Sequence, residues 1–450
     1  MKKRGSKDKG ATASALSRRD FLKRTAAATG AAVAAPMIIP SSALGLGASV
    51  APSNRIVMGC IGVGSQGTGN MKSFLQFPDA QFVAVCDVDR GHRENAQNII
   101  NETYGNKDCT GYNDFREFLE RDDLDAVSIA VPDHWHSIPA IACAKKGLDI
   151  YAEKPLALTI HEGKAMVEAV HRYGVVWQTG SWQRSKDNFH KGCELVRNGR
   201  IGNVHTVQVG LPTGHSIETQ PEMPIPDGFD YDFWLGPAPD APYTEKRCHW
   251  DFRWILDYSG GQLTDWAAHH CDIANWGMGT ENTGPVSVKA VGVFPRDGLY
   301  DAAINYNLEC KFAPGASPVA PDGFTMLVAD SATFPMGTRF IGTDGEIFVD
   351  RGDTIEANPA SILNEAVGEN ETRLYKSENH AQNFFDCVRS REQCVAPIHA
   401  AHRAITIAHL GNIAMQLGRE VNWDPAAETF PNDPTAVRKL KRAMRGNWHI

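Results

Sequence analysis

Residues 56–67 read IVMGCIGVGSQG, an apolar run followed at once by the motif G-x-G-x-x-G. The apolar run predicts a buried strand, and the segment after the motif has the pattern of a helix. In such a turn Gly62 permits the tight bend, Gly64 lets the backbone approach a pyrophosphate, and Gly67 lets the helix pack on the sheet. Free N–H groups and the dipole at the helix start favour phosphate there. The predicted cofactor contacts in this turn are Gly62, Gly64, Ser65, Gln66 and Gly67.

A second apolar run, Phe82–Cys86, ends at Asp87, 20 residues beyond Gly67. A carboxylate at that point accepts hydrogen bonds from the ribose hydroxyls of an adenosine and repels a 2′-phosphate. The sequence therefore favours NAD as the cofactor. NADP stays open as an alternative, because Arg90 and Arg93 follow closely and would offset that repulsion.

The rest of the chain divides into two regions of different pattern. Short apolar runs alternate with helical segments from Arg55 to Gln178, which predicts an α/β Rossmann domain with a doubly wound parallel sheet. Residues 210–245 contain seven Pro and four Gly, so they predict a long loop that is functional or a structural arm. Later alternating runs, with a hairpin turn at Thr343–Gly345, predict an α+β domain with a large open, mainly antiparallel sheet. The predicted divisions are a leader and linker over 1–53, an NAD-binding domain over 54–179, and a substrate-binding and oligomerisation domain over 180–450.

Charge is distributed unevenly along the chain. Residues 1–24 carry nine Lys or Arg against two Asp or Glu, whereas the remainder has 36 basic and 51 acidic residues. An acidic body argues against nucleic-acid partners and against docking on anionic lipid. Ser17–Lys23 resembles a twin-arginine export signal and precedes an apolar stretch too short for a stable membrane anchor, so we expect export to the periplasm. The spacing of the ten Cys predicts no particular disulfide.

Two segments supply candidate catalytic residues. Lys154, in Glu153-Lys154-Pro155, follows a predicted strand, and strand ends in such a sheet face the ligand crevice. Asp265, His269 and Asp272 stand at positions i, i+4 and i+7 and share one face of a helix. An imidazole suits removal of a hydroxyl proton during alcohol oxidation, while Lys154 stabilises an alkoxide. The alternatives are a solvated polar face or metal ligation by His269, His270 and Asp272, but no established metal-site spacing is present, so we expect no metal.

Arg184, Trp254 and Asp272 are the candidates for contact with substrate. Arg184 follows the last predicted strand of the first sheet, and Trp254 precedes the helix that carries Asp265. Trp rings stack on the apolar faces of sugars, although core packing is the more common environment of such residues. For Arg184 the alternative is an ordinary surface position.

These segments together resemble the Gfo/Idh/MocA oxidoreductase family, from about Asn54 to the end of the chain. The resemblance implies that Lys154, Asp265 and His269 act at the substrate. It also implies a C-terminal sheet that mediates dimer or tetramer formation, with a rather apolar face. The motifs that carry the resemblance are Gly62–Gly67, Pro132–His136, Glu153–Pro155, Trp234–Pro239 and Gly260–Asp272. The cofactor contacts it adds are Pro132, His136, Glu153 and Lys154.

The expected activity is hydride transfer between NAD or NADP and a secondary hydroxyl of a sugar or cyclitol. A second possibility is an NAD-dependent glycosidase or lyase that oxidises a glycoside transiently, with no net redox change. A third is a non-catalytic sugar- or nucleotide-binding protein. The presence of Lys154 and His269 favours the enzymes.

Overall fold

Six short strands form the first sheet of the computed structural model, which describes residues 54–450. All neighbouring strands are parallel, and their order is β3-β2-β1-β4-β5-β6. The strand order reverses between β1 and β4, and a crevice for ligand opens at such a switch point. The strands are β1 Ile56–Ile61, β2 Ala80–Cys86, β3 Thr110–Tyr112, β4 Ala126–Ile129, β5 Asp149–Ala152 and β6 Trp177–Thr179.

Five helices connect these strands, and the predicted doubly wound α/β fold is confirmed. Asp89 caps the second helix by accepting hydrogen bonds from the backbone N–H groups of Gly91 and His92, and Thr159 caps the fifth. Such caps satisfy backbone donors that have no partner within the helix. The helices are α1 Ser65–Phe74, α2 Arg90–Tyr104, α3 Phe115–Phe118, α4 Ser137–Lys145 and α5 Ile160–Tyr173.

Eight strands form the second sheet, in the order β13-β12-β11-β7-β10-β9-β8-β14. Every neighbouring pair is antiparallel except β7 and β10, so the predicted mainly antiparallel sheet is confirmed. The strands are β7 Val204–Leu211, β8 Ser287–Val293, β9 Asn305–Phe312, β10 Phe324–Asp330, β11 Gly337–Gly342, β12 Glu346–Asp350, β13 Thr354–Asn358 and β14 Val421–Asn422.

Helices cover one face of the second sheet and leave the other face open. The covering helices are α6 Asp187–Arg197, α8 Gly261–Met278 and α10 Ile398–Leu417. One row across the open face is mixed in character, which corrects the expectation of an apolar face. Four of its five side chains are charged or polar, because each strand places its fully buried residues on the helical side. The row contains Lys289, Glu309, Leu327, Gln208 and Arg339.

The Pro- and Gly-rich segment reaches back to the first sheet. It contains the short helix α7 Tyr231–Leu235 and is followed by a turn of 3-10 helix, Asp251–Trp254. Residues 210–254 are called the arm. The backbone N–H of Arg90 donates to the carbonyl oxygen of Gly228 at 2.9 Å, at the start of α2. Buried aromatic side chains give this segment a small core of its own, so it is an ordered arm rather than a loose loop.

A helix near the C-terminus completes the core of the first sheet. Phe384 and Phe385, on α9 His380–Ser390, are fully buried, and both pack against Phe74 of α1. Phe384 also packs against Tyr151 of β5. The dinucleotide domain therefore shares its core with a segment far along the chain. The last helix is α11 Pro434–Val437.

The structure also describes the Cys residues and shows whether any helix could cross a membrane. All ten Cys are buried and unpaired. None of the helices within residues 54–450 combines the length and apolarity that a membrane crossing requires. The predicted export signal and linker, residues 1–53, lie outside the described residues.

Candidate active site

A cavity of about 450 Å³ lies at the carboxyl ends of the parallel strands. The arm forms its opposite wall. Fourteen of its lining residues follow the ends of β1, β2, β4 and β5, as the predicted crevice requires. The ten that matter most to the site are Gly62, Gly64, Ser65, Gln66, Asp87, Pro132, Asp133, Glu153, Lys154 and Pro155.

The three glycines of the first turn have different surroundings. Gly62 has φ +83°, and a Cβ on Gly67 would lie 2.0 Å from the carbonyl oxygen of Gly62. A Cβ on Gly64 would meet only the His92 ring, at 3.7 Å, so space remains in front of it. No side chain caps the first turn of α1, which leaves its backbone N–H groups free for phosphate. The turn therefore fits a bound pyrophosphate.

Asp87 is held rigidly at the far end of the cavity. Its Oδ2 accepts from the N–H of Val63 at 2.8 Å, and its Oδ1 accepts from the N–H of Asp89 at 2.9 Å. His92 Nδ1 lies 3.8 Å from Asp87 Oδ1, and the carboxylate of Asp87 raises the pKa of His92. Arg93 donates to the carbonyl oxygen of Asp87 and to Asn113 instead of facing the cavity. This arrangement fits the ribose hydroxyls of NAD and offers no Arg93 contact to a 2′-phosphate.

A group capable of holding a metal lies beside Asp87. The potential ligand atoms of Asp89, His92 and His249 lie within 4.8 Å of one another. Asp89 Oδ1 already accepts the capping hydrogen bonds of α2. All three residues line the adenosine end of the cavity, where they would also contact the cofactor.

Lys154 and Asp265 form an ion pair at the other end of the cavity. Lys154 Nζ lies 2.6 Å from Asp265 Oδ1, and Arg253 Nε lies 3.6 Å from the same oxygen. Burial alone raises the pKa of Asp265, but the two cations outweigh burial and leave that pKa below its usual value. Asp265 is therefore ionised and fixes the position of the Lys154 ammonium.

His269 lies one helical turn beyond Asp265, behind the cavity wall. Its side chain is buried, and its Nδ1 has no hydrogen-bond partner among the described residues. Burial, followed by the charges of Lys154 and Arg351, holds the pKa of His269 well below its usual value. The imidazole is therefore neutral near pH 7 and able to accept a proton.

Glu153 lines the cavity and joins α1 to the end of β5. Its Oε1 accepts from Asn70 Nδ2 at 2.9 Å and from Gln66 Nε2 at 3.2 Å. Burial raises the pKa of Glu153. Through these bonds the residue before Lys154 is tied to the helix that follows the glycine turn.

In the turn after β4, one predicted cofactor contact lies away from the cavity, and one residue that was not predicted lines it. His136 was expected near the cofactor, but it is buried, and its Nε2 is bonded to the carbonyl oxygen of Val131 at 2.7 Å. It supports the turn, and Pro132 and Asp133 line the cavity instead. Asp133 accepts from the Ser259 hydroxyl at 2.5 Å, and burial raises the pKa of Asp133 to about 7.

Arg184 and Asp272 do not contact the cavity, so their predicted place at the substrate is corrected. Arg184 donates twice to Asp272, at 2.6 and 2.7 Å, and once to Glu281 at 2.7 Å. Arg184 and Asp272 are each 2% exposed. Arg184 thus joins the turn after β6 to helix α8, and its guanidinium has few hydrogen-bond donors left for a ligand.

Trp254 is also placed in the core, in contrast to its predicted contact with substrate. Its indole Nε1 donates to Gln262 Oε1 at 2.9 Å, and its ring packs against His215 and Tyr300. The arm instead brings its neighbours Trp250 and Arg253 to the cavity, together with Phe229. The sequence signal for these residues was the abundance of aromatic residues in the arm.

Comparison with known proteins covers both sheets. The model of an oxidoreductase family's NAD-binding Rossmann fold matches residues 56–181. The model of the same family's C-terminal alpha/beta domain matches residues 195–450, more than half of the chain.

Individual relatives match over shorter stretches. A myo-inositol 2-dehydrogenase of Thermotoga maritima is 29% identical over 224 residues, which are 50% of this chain and 55% of that protein. A glycosyl hydrolase family 109 protein of a Shewanella species is 32% identical over 171 residues, which are 35% and 37% of the two chains. The chain thus spans about half or less of the length of these two relatives.

A solved structure shows the same fold. The WlbA dehydrogenase of Bordetella pertussis, in complex with NADH and UDP-GlcNAcA, matches with a TM-score of 0.58 at 16% identity. The match covers 82% of this chain and 99% of that protein.

Proposed function

Because the chain belongs to the Gfo/Idh/MocA oxidoreductase family, we propose that it transfers hydride between NAD and a secondary hydroxyl of a sugar or cyclitol. One observation carries the proposal: the Lys154–Asp265 ion pair faces the cavity whose other end is built by the glycine turn and Asp87. The inositol dehydrogenase relative supports the substrate class.

The cofactor is held by residues already described. The N–H groups at the start of α1 bind the pyrophosphate, Asp87 binds the adenosine ribose, and Pro132 and Lys154 line the part left for the nicotinamide. When bound, NAD supplies the hydride acceptor for alcohol oxidation and the donor for the reverse reaction.

His269 and Lys154 handle the proton of the substrate hydroxyl. Neutral His269 does not line the cavity in this structure, so we propose that it accepts that proton only once the bound substrate brings its hydroxyl to the imidazole, and returns it in the reverse direction. The Lys154 ammonium stabilises the negative charge that develops on the oxygen. Asp265 holds Lys154 in position through the 2.6 Å contact.

A redox-neutral glycosidase or lyase uses the same residues and is the second candidate. The glycosyl hydrolase relative supports it. In that reaction a hydroxyl would be oxidised transiently, the aglycone would be eliminated, water would add at the anomeric carbon, and the hydride would return to the sugar. A non-catalytic binding protein is disfavoured, because it has no need of a lysine, a carboxylate and a neutral imidazole gathered at one place.

Variants of His269 and Lys154 test the proposal. We expect His269→Ala to lower kcat on the order of 10²–10⁴-fold, the usual contribution of an acid–base group, while NADH affinity stays within about twofold. Lys154→Met would lower kcat as well. His161→Ala changes an exposed His of α5 and serves as the matched control. Full activity of His269→Ala would remove the assigned acid–base role.

The same assay separates the two enzymes. Product released from a glycoside without accumulation of NADH would identify the redox-neutral reaction. Accumulation of NADH in proportion to product would identify the dehydrogenase.

Export and assembly belong to the proposal as well. We expect residues 1–53 to direct export, and replacing Arg18 and Arg19 by Lys to stop transport of a fused reporter. We also expect a dimer or tetramer through the second sheet. Light scattering of the purified protein would measure this, and a monomer would contradict it.

A further inference from the structure

Arg351 lies between two tryptophan rings at the end of β12. Its guanidinium carbon is 4.8 Å from the centre of the Trp182 ring and 4.5 Å from the centre of the Trp266 ring. Nε and Nη2 donate to Gln183 Oε1 at 3.2 and 3.1 Å. Two aromatic rings and two hydrogen bonds to one oxygen therefore restrict the position of the guanidinium.

This group is next to the proposed catalytic residues. Trp266 follows Asp265 on α8, and its ring centre lies 5.9 Å from that of His269. The positive charge of Arg351 lowers the pKa of His269, and the negative charge of Asp265 acts on Arg351. Arg351 is therefore close to both His269 and Asp265, although neither Arg351 nor Gln183 lines the cavity that holds the glycine turn.

Hydrogen-bonding capacity remains unused around Arg351. The structure gives Arg351 Nη1 no acceptor within residues 54–450, and Gln183 Nε2 is buried without a partner in the same range. Asp350, the adjacent carboxylate, instead places its Oδ1 3.7 Å from His270 Nε2. Arg184 and Arg339, by contrast, each form a close ion pair with a carboxylate. A fixed donor group with no ion-pair partner is suited to an external anion.

The chemistry of a fixed guanidinium selects that anion. Its planar donors match the two oxygens of a carboxylate, and charge-assisted bonds of this kind are strong where water is partly excluded. We propose that Arg351 and Gln183 form a subsite for the carboxylate of an acidic sugar, so that the substrate is a uronic acid or its glycoside. The subsite rests on the proposed function, since it orients the sugar hydroxyl toward His269 and Lys154.

Matched sugars test the subsite. We would measure kcat and KM with NAD for glucuronate against glucose, and for galacturonate against galactose, with the sugar phosphates as a third class. We expect the uronates to have the lower KM. Arg351→Met should raise KM for the uronates on the order of 10- to 100-fold, change kcat less, and leave KM for the neutral sugars unaltered. Arg351→Lys, which keeps the charge, should recover part of the loss.

Arg339→Met is the matched control. Arg339 lies on neighbouring β11, stacks on Phe348 at 4.9 Å and pairs with Glu346, but it is on the open face of the sheet. This variant should leave every KM unchanged. Thermal unfolding of each variant would establish that it is folded.

Binding measured by calorimetry distinguishes the two proposals. If glucuronate binds, loses affinity in Arg351→Met and is never oxidised, the subsite stands and the dehydrogenase does not. If neutral sugars are oxidised as well as uronates and Arg351→Met behaves like the wild type, the subsite is wrong and the dehydrogenase stands. Preference for sugar phosphates would overturn the carboxylate assignment.

Discussion

The first turn shows which cavity residues can be predicted from the sequence. The strand and helix around G-x-G-x-x-G predicted the turn, and the same reasoning led to Asp87 and Lys154, which line the cavity. His136, Arg184 and Trp254 were misplaced for a common reason. The sequence gives a residue's position along the chain, but neighbours distant in sequence decide where its side chain points.

Gly64 and Gly67 are expected to respond differently to substitution by alanine. Gly64→Ala adds a methyl group in open space toward the phosphate position, so we expect NADH affinity to fall about tenfold and the free energy of unfolding to change by less than about 1 kcal/mol. Gly67→Ala places its Cβ 2.0 Å from a backbone oxygen, so we expect a loss of about 1–3 kcal/mol of stability.

Urea unfolding and a fluorescence titration with NADH measure both effects. Unchanged NADH affinity in Gly64→Ala would place the pyrophosphate elsewhere. A Gly67→Ala variant as stable as the wild type would contradict the packing described.

At the scale of elements, periodicity predicted most helices and strands, and the exceptions have physical reasons. The sequence does not predict helix α6, because Gly192 interrupts the helical spacing of the apolar residues Phe189, Cys193 and Val196. In the structure a Cβ on Gly192 would lie 2.5 Å from Val349 Cγ1, so the glycine permits close packing of α6 on β12. The predicted row along α8 exists, but only Asp265 faces the cavity, and by Asp272 the helix has passed into the core.

The Arg184–Asp272 pair should stabilise the junction between α8 and the turn after β6. Removing either partner leaves an uncompensated buried charge, so Arg184→Met or Asp272→Asn should lower the free energy of unfolding by about 3–5 kcal/mol. The double variant Arg184→Met/Asp272→Asn should cost less than the sum of the single variants, because the two charges leave together.

Urea unfolding of the two single variants and the double variant completes the cycle. Arg116→Met, which removes an exposed ion pair with Asp114, is the control and should cost about 1 kcal/mol or less. Additive losses for Arg184 and Asp272 would show that the two charges do not depend on each other.

At the scale of the molecule, the division into two sheets was predictable and their mutual dependence was not. In the first region short strands alternate with helices, whereas in the second region polar and apolar residues alternate along the strands. Nothing local in the chain reveals that Phe384 and Phe385 complete the core around Phe74, because the contact joins segments about 300 residues apart. The arm's role as the outer wall of the cavity is likewise a contact of distant segments. The ion pair between Lys154 and Asp265 likewise joins residues that are 111 positions apart in the sequence.

The central claim, that hydride moves between the substrate carbon and a nicotinamide held beside Lys154 and His269, has a direct test. The protein is incubated with NAD and a sugar deuterated at all its carbon-bound positions, quenched with alkali, which preserves reduced nicotinamide, and the dinucleotide is analysed by mass spectrometry. We predict one deuterium in the reduced nicotinamide ring, and its loss in His269→Ala. Reduced dinucleotide without deuterium, or no reduced dinucleotide at all, in a protein that binds both NAD and the sugar would contradict the account for the dehydrogenase.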